Sequence, residues 1–203
     1  MLTRRRAACL LSVVPFVIGA CGHDDKPKIT KPATVLVVGD SLLYQSAGPL
    51  AAVLRERGWV PVFDARPGSA ILGGFSIARW PPRIRQLVRA TNPDVVVVEL
   101  GTNGCGHCRS MAAGIDTVMK ELRTVPRVDW VNVKESAPIP PHPKAVNDAL
   151  EQAKQRWKNL RIIDMNKAFA HHPELLLSDH IHFDDKGVAE FVKLVADQLP
   201  RQH

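Results

Sequence analysis

The sequence lacks an apolar run long enough to cross a membrane as a helix: the stretch at residues 7–18 falls well short of the roughly 20 residues a bilayer core requires. It also lacks a strong charge of either sign. Lys and Arg number 27 against 20 Asp and Glu, a formal +7. Arg4, Arg5 and Arg6 precede the apolar stretch, and without them 24 basic residues face 20 acidic ones, an excess of +4. So mild and scattered an excess makes no case for a nucleic-acid partner, and none is expected; a basic face would suit an anionic envelope surface. There is no internal repeat and no low-complexity segment, so the 203 residues are expected to build one ordinary core. The histidines His23, His142, His171 and His172 have no zinc-binding spacing and read as surface residues. Cysteine is scarce, with four in the chain.

What is present begins with an export pattern. Basic Arg4-Arg5-Arg6 leads into the apolar stretch and then into Gly19-Ala20-Cys21. Ile18-Gly19-Ala20-Cys21 resembles the lipobox of bacterial lipoproteins, in which the signal is cut before a cysteine that then carries lipid. The resemblance implies a signal peptide over 1–20, lipidation at Cys21 and a membrane anchor on the extracytoplasmic side. Residues 22–32, "GHDDKPKITKP", are polar and proline-punctuated, as suits a tether. With Cys9 removed and Cys21 acylated, Cys105 and Cys108 remain as a pair in an oxidising compartment.

From residue 33 the chain alternates. Apolar runs at 34–38, 60–63, 94–100, 128–133 and 160–163 read as five strands with helical patterns between them, and that alternation implies a parallel sheet covered on both faces. Pro81-Pro82 and Pro143 suit first helical turns, and Gly58 suits a helix end. In the last helix Val188, Phe191, Val192, Val195 and Leu199 share a face, with Asp184 or Asp185 available as its cap. The proline-dense 136–143 is a loop after the fourth strand.

The first strand ends in Gly39-Asp40-Ser41. In a parallel sheet the loops at the carboxyl ends of strands form the ligand-binding edge. Ser41, Gly68 after the second strand, Asn103 after the third, and Asp179 with His182 before the last helix all fall on that edge. A serine becomes a nucleophile when a base takes its proton, and a carboxylate can hold that base in the right tautomer; His182 and Asp179 supply both. The Ser41 and Gly68 backbone N–H groups and the Asn103 amide are the donors an oxyanion needs. Asp40 would shape the nucleophile turn.

These blocks resemble the SGNH hydrolases, the GDSL esterase/lipase superfamily: "GDSL" at 39–42, Gly68 in "RPGSA", "GTN" at 101–103 and "DHIH" at 179–182. The resemblance spans 34–199. It implies a flavodoxin-like three-layer α/β/α sandwich with a five-stranded parallel sheet, a serine nucleophile, no metal or other cofactor, and ester or acyl substrates, either small molecules or components of the cell envelope. "ELGTNG" with a late Asp-x-x-His is also similar to the catalytic domains of bacterial cell-wall O-acetyltransferases. The chain is expected to be a monomeric exported serine esterase. Alternatives are a carbohydrate O-acetyltransferase and a non-catalytic envelope binding module.

Several readings stay open at this level. Gly73-Gly74 rivals Gly68. His180 stands where the family often has glycine, though the Asp-x-x-His spacing selects His182 as the base. Asn103 beside Gly104 also fits an ordinary turn. Glu99, within a buried run, either reaches the active edge or pairs with a buried cation. Cys105-Gly106-His107-Cys108 matches the dithiol motif of disulfide isomerases, but without a thioredoxin-like context; a loop disulfide is favoured over a redox or zinc role.

Overall fold

The computed structural model describes residues 32–74, 79–136 and 143–202. The export signal, Cys21, all but the last residue of the tether, and most of the proline-dense loop lie outside them. In chain order the elements are β1 (Thr34–Gly39), α1 (Ser41–Glu56), β2 (Val60–Ala65), β3 (Ser69–Ala70), β4 (Gly73–Gly74), α2 (Trp80–Thr91), β5 (Val95–Glu99), α3 (Met111–Glu121), β6 (Arg127–Val131), α4 (Pro143–Arg156), β7 (Leu160–Ile163), α5 (Met165–Phe169), a 3-10 turn at Pro173–Leu175, and α6 (Asp185–Gln198).

Five strands pair in parallel in the order β2-β1-β5-β6-β7. β1 and β5 are apolar and rich in valine on both faces because both faces are covered. Leu36, Val38, Val96 and Val98 point into a core shared with α2, α3 and α4. Val35, Val37, Val95 and Val97 point into a second core, shared with α1, α5 and α6. Each such buried side chain stabilises the fold by about 1.5–3 kcal/mol relative to exposure. The chain leaves β1 toward β2 on one side and returns to β5 on the other. The carboxyl ends of β1 and β5 therefore flank the crevice where open α/β sheets bind ligands.

Helix starts follow local chemistry. Asp40 caps α1 by accepting from Leu42 N, and Asp184, not Asp185, caps α6 by accepting from Gly187 N. Pro81 and Pro82 lie in the first turn of α2, and Gly58, at φ 83°, follows the end of α1.

Two strands end earlier than their apolar runs. β5 stops at Glu99, and the next carbonyl, Leu100 O, accepts instead from Trp130 Nε1 at 2.8 Å. β6 stops at Val131 because the buried Asn147 amide takes over the backbone of Val133, accepting from its N at 2.8 Å and donating to its O at 2.7 Å. The antiparallel β3–β4 ribbon was not anticipated, since two-residue strands leave no periodicity to read.

Candidate active site

Ser41 is the first residue of α1, set directly past the buried β1. Gly39 makes that turn possible: a Cβ there would lie 2.7 Å from Leu43 Cβ and 2.8 Å from both Glu99 O and Glu99 Oε2. Ser41 Oγ is 2.9 Å from His182 Nε2, and His182 Nδ1 is 2.7 Å from Asp179 Oδ2. The other oxygen of Asp179 accepts from Ile181 N at 2.9 Å and His182 N at 3.0 Å. These bonds, above all the one from His182, hold the Asp179 carboxyl down at about 2. An ionised Asp179 accepts a hydrogen bond from Nδ1–H, which leaves Nε2 to accept from the serine hydroxyl.

The loop carrying His182 is fixed from several sides. Leu177 N donates to His182 O at 2.8 Å, and Phe183 bridges back to Leu176. The Phe183 ring packs on Phe169 and Phe191 at centroid distances of 5.0 and 5.2 Å. Gln45, one turn after Ser41, clamps this loop to α1, accepting from Phe183 N and donating to Phe183 O, each at 3.3 Å. The sequence reading missed Gln45; its spacing of four from Ser41, on one helix face, was the available signal. His180 is exposed, with φ 59° in the left-handed region that favours glycine. That conformation is the physical reason for a glycine at this place.

Arg66-Pro67-Gly68-Ser69 forms a turn closed by Ser69 N to Arg66 O at 3.1 Å, with Gly68 at φ 73°. Pro then Gly at the centre of a turn, with positive φ at the glycine, leaves the glycine N–H outside the closing bond. Among the described residues neither Ser41 N–H nor Gly68 N–H has a hydrogen-bond partner. Gly74 packs against this turn: a Cβ on it would meet Gly68 O at 2.8 Å. The Asn103 amide is committed, donating to Asp40 Oδ2 at 3.1 Å and to Ser69 O at 3.2 Å. It thus ties the nucleophile turn to the Gly68 loop, and an oxyanion would receive its second N–H in exchange for Ser69 O.

Among the described residues Glu99 pairs with no cation. Its Oε2 accepts from Asp40 N at 3.0 Å and Leu43 N at 3.3 Å, so it reaches the active edge from beneath the start of α1. The Cys105 and Cys108 sulfurs lie 2.09 Å apart, at disulfide distance. Their loop docks on the ribbon, as Ile71 N donates to Gly104 O at 3.0 Å and Leu72 N to Cys105 O at 3.2 Å. Beside Gly68 and Asn103 a groove of about 1090 Å³ opens, lined also by Arg79, His107 and the ion pair Arg85–Glu121. A second space, of about 10 Å³, is lined by Leu42, Thr102, His180 and Ile181, the sequence neighbours of Ser41, Asn103 and His182. Among the described residues no group of three His, Cys, Asp or Glu side chains is placed to hold a metal ion, and no helix is long and apolar enough to cross a membrane.

Hydroxyl, imidazole and carboxylate in hydrogen-bonded series beside two free backbone donors can carry out acyl transfer. Comparison with known proteins gives the same class. No curated protein sequence matches the chain significantly. Solved structures share its fold. The C-terminal catalytic domain of peptidoglycan O-acetyltransferase A from Streptococcus pneumoniae is 17% identical, with 83% of this chain and 93% of that one covered at a TM-score of 0.62. A carbohydrate esterase family 3 protein from Talaromyces cellulolyticus is 19% identical, with 82% and 96% covered at 0.66. The acetyl xylan esterase Axe2 from Geobacillus stearothermophilus, as its W215I variant, is 15% identical, with 84% and 96% covered at 0.59. The model of the GDSL-like lipase/acylhydrolase family matches residues 37–189, three quarters of the sequence, and the chain belongs to that family of ester hydrolases.

Proposed function

We propose that the chain is an exported serine esterase that removes short acyl groups, acetyl above all, through an acyl-enzyme on Ser41. The observation that carries this is the continuous series Ser41 Oγ, His182 Nε2, His182 Nδ1, Asp179 Oδ2, with links of 2.9 and 2.7 Å. In the reaction Ser41 Oγ attacks the ester carbonyl while its proton passes to His182 Nε2. The oxyanion is met by Ser41 N–H, Gly68 N–H and the Asn103 amide. His182 then gives the proton to the departing alcohol, and the acyl group stays on Ser41 Oγ. Water, deprotonated by His182, attacks the acyl-enzyme, the acid leaves, and the proton returns to Ser41. Asp40 shapes the nucleophile turn, and the Cys105–Cys108 bond braces the Asn103 loop.

One observation supports a short acyl group: the solved structures of like fold include an acetyl xylan esterase. A second reading keeps the acyl-enzyme and passes the group to a sugar hydroxyl. It is favoured by the groove of about 1090 Å³ beside Gly68 and Asn103, which has room for an acceptor, and by the likeness to a peptidoglycan O-acetyltransferase. Purified protein given acetyl, butyryl and octanoyl esters, with and without muropeptide or oligosaccharide acceptors, tests both. Acetyl turnover should dominate. Preference for octanoyl would reject the short-chain reading, and acylated acceptor in place of free acid would select transfer.

We also infer that the protein is anchored by lipid on Cys21, with the residues up to Pro32 as a leash, from the lipobox-like sequence alone. Cys21→Ser should release it from the membrane fraction; an unmodified mature N-terminus at another residue would reject the anchor.

A further inference from the structure

The triad and oxyanion donors leave without a role a buried ionisable side chain that reaches the active edge. Glu99, at the end of β5, is 2% exposed, and Asp40, above it, is fully buried. Glu99 Oε2 accepts from Asp40 N and Leu43 N, and its carboxyl also lies in hydrogen-bonding reach of the Asp40 carboxyl. Asp40 spends one oxygen on Leu42 N, at 3.0 Å, and the other on the Asn103 amide, at 3.1 Å. The titratable groups that face this pair are each other and, from the loop before α6, His182; among the described residues neither carboxyl forms an ion pair with a lysine or arginine. Two carboxylates in contact, out of water and with no cation between them, cannot both stay ionised.

We propose that Glu99 is a positioning residue that works in its protonated form, its acid proton bridging to the Asp40 carboxylate so that Asp40 can hold the Asn103 amide beside Ser41. One proton is shared by the pair. It resides on Glu99 because Asp40 alone receives donors on both oxygens from Leu42 N and Asn103. Gly39 leaves room for this, since a Cβ there would lie 2.8 Å from Glu99 Oε2. The direction of the titrations agrees: desolvation raises both carboxyls, and the Asp40 charge pushes Glu99 up further. Above the Glu99 titration that shared proton leaves, the two charges repel, and the nucleophile turn and the Asn103 amide lose their common support. Glutamine at this place reproduces the protonated acid, with an oxygen for the two backbone N–H groups and an N–H for Asp40.

This inference rests on the esterase reading for its kinetic arm only. The full chain and its Glu99→Gln and Glu99→Ala variants are compared by infrared difference spectroscopy at neutral pH and by kcat and KM for p-nitrophenyl acetate against pH. A protonated carboxylic acid band is expected in the wild type and absent from Glu99→Gln. Glu99→Gln should keep kcat within a few-fold and lose the alkaline decline that the wild type shows. Glu99→Ala should lower kcat on the order of tenfold with KM little changed, a fraction of the roughly hundredfold to thousandfold that loss of an oxyanion donor costs. A wild type without the band, a Glu99→Gln variant as impaired as Glu99→Ala, or an Ala variant with wild-type kcat would each overturn the proposal. Should Glu99→Ala not fold, the band and Glu99→Gln decide. A wild type that shows the band but turns over no ester would reject the esterase reading and leave the shared proton standing.

Discussion

Ser41, His182 and Asp179 act as one unit in this account, and that fixes how their variants behave. Ser41→Ala and His182→Ala should each remove nearly all ester turnover while the protein stays folded, and the double variant should be little worse than either, because such residues lose activity non-additively. His180→Ala and His180→Gly should keep most activity, and the glycine variant should melt no lower than the wild type because it relieves the φ of 59°; a dead His180→Ala with an active His182→Ala would reassign the base. Asp179→Asn should fall between. Its acid stability separates the variants further. A carboxyl lowered from 3.8 to about 2 in the folded protein contributes stability above its unfolded value, lost as pH falls through its folded one. Wild-type melting temperature should therefore fall more steeply between about pH 4 and pH 2 than that of Asp179→Asn, though only modestly, as the side chain is 44% exposed. At this scale the sequence was most legible, because the chemistry of hydroxyl, imidazole and carboxylate is visible in the residue types. Glu99 was not: its burial could be read from the run around it, but its partners, Asp40 N and Leu43 N, come from another element.

In the proposed mechanism the β3–β4 ribbon and the Cys105–Cys108 loop together aim the oxyanion donors. Ser69 O receives the Asn103 amide, and the carbonyls of Gly104 and Cys105 receive the N–H groups of Ile71 and Leu72. Loosening the loop should reach the chemistry before it reaches stability. Cys105→Ser combined with Cys108→Ser should lower kcat more than it raises KM, and Asn103→Ala should mask most of that effect. The melting temperature should drop only modestly, since a bond across a sequence separation of 3 constrains the unfolded chain little. Unchanged kinetics in the double variant would remove the bracing role. The helix behind the loop is built around the same bond: a Cβ on Gly114 of α3 would lie 2.2 Å from Cys105 Sγ. Gly114→Ala should cost about 1–3 kcal/mol in urea unfolding, as overpacking does. The Cys pair and Asn103 were readable as neighbours in the chain. Their docking on the ribbon was not, because strands of two residues have no period and the contact spans some thirty residues.

Across the whole molecule, alternation of apolar runs with helical patterns was enough to expect a parallel five-stranded sheet with both faces covered, and the observed order β2-β1-β5-β6-β7 puts β5 at the centre with β1 beside it. Those two strands are rich in valine, so burial on both faces was visible in composition. Strand ends were less so, since they are set by side chains from elsewhere, such as Asn147 on Val133. The order of strands brings four segments, from Ser41 to His182, to one edge, and the account depends on that edge forming a covalent intermediate. Rapid-quench mass spectrometry of the protein mixed with an acetyl ester tests it most directly. The account predicts a transient acetyl adduct on the peptide containing Ser41, absent from Ser41→Ala, which should turn over almost no ester. Ester turnover that survives in Ser41→Ala, or that proceeds in the wild type with the adduct on another residue, would contradict it.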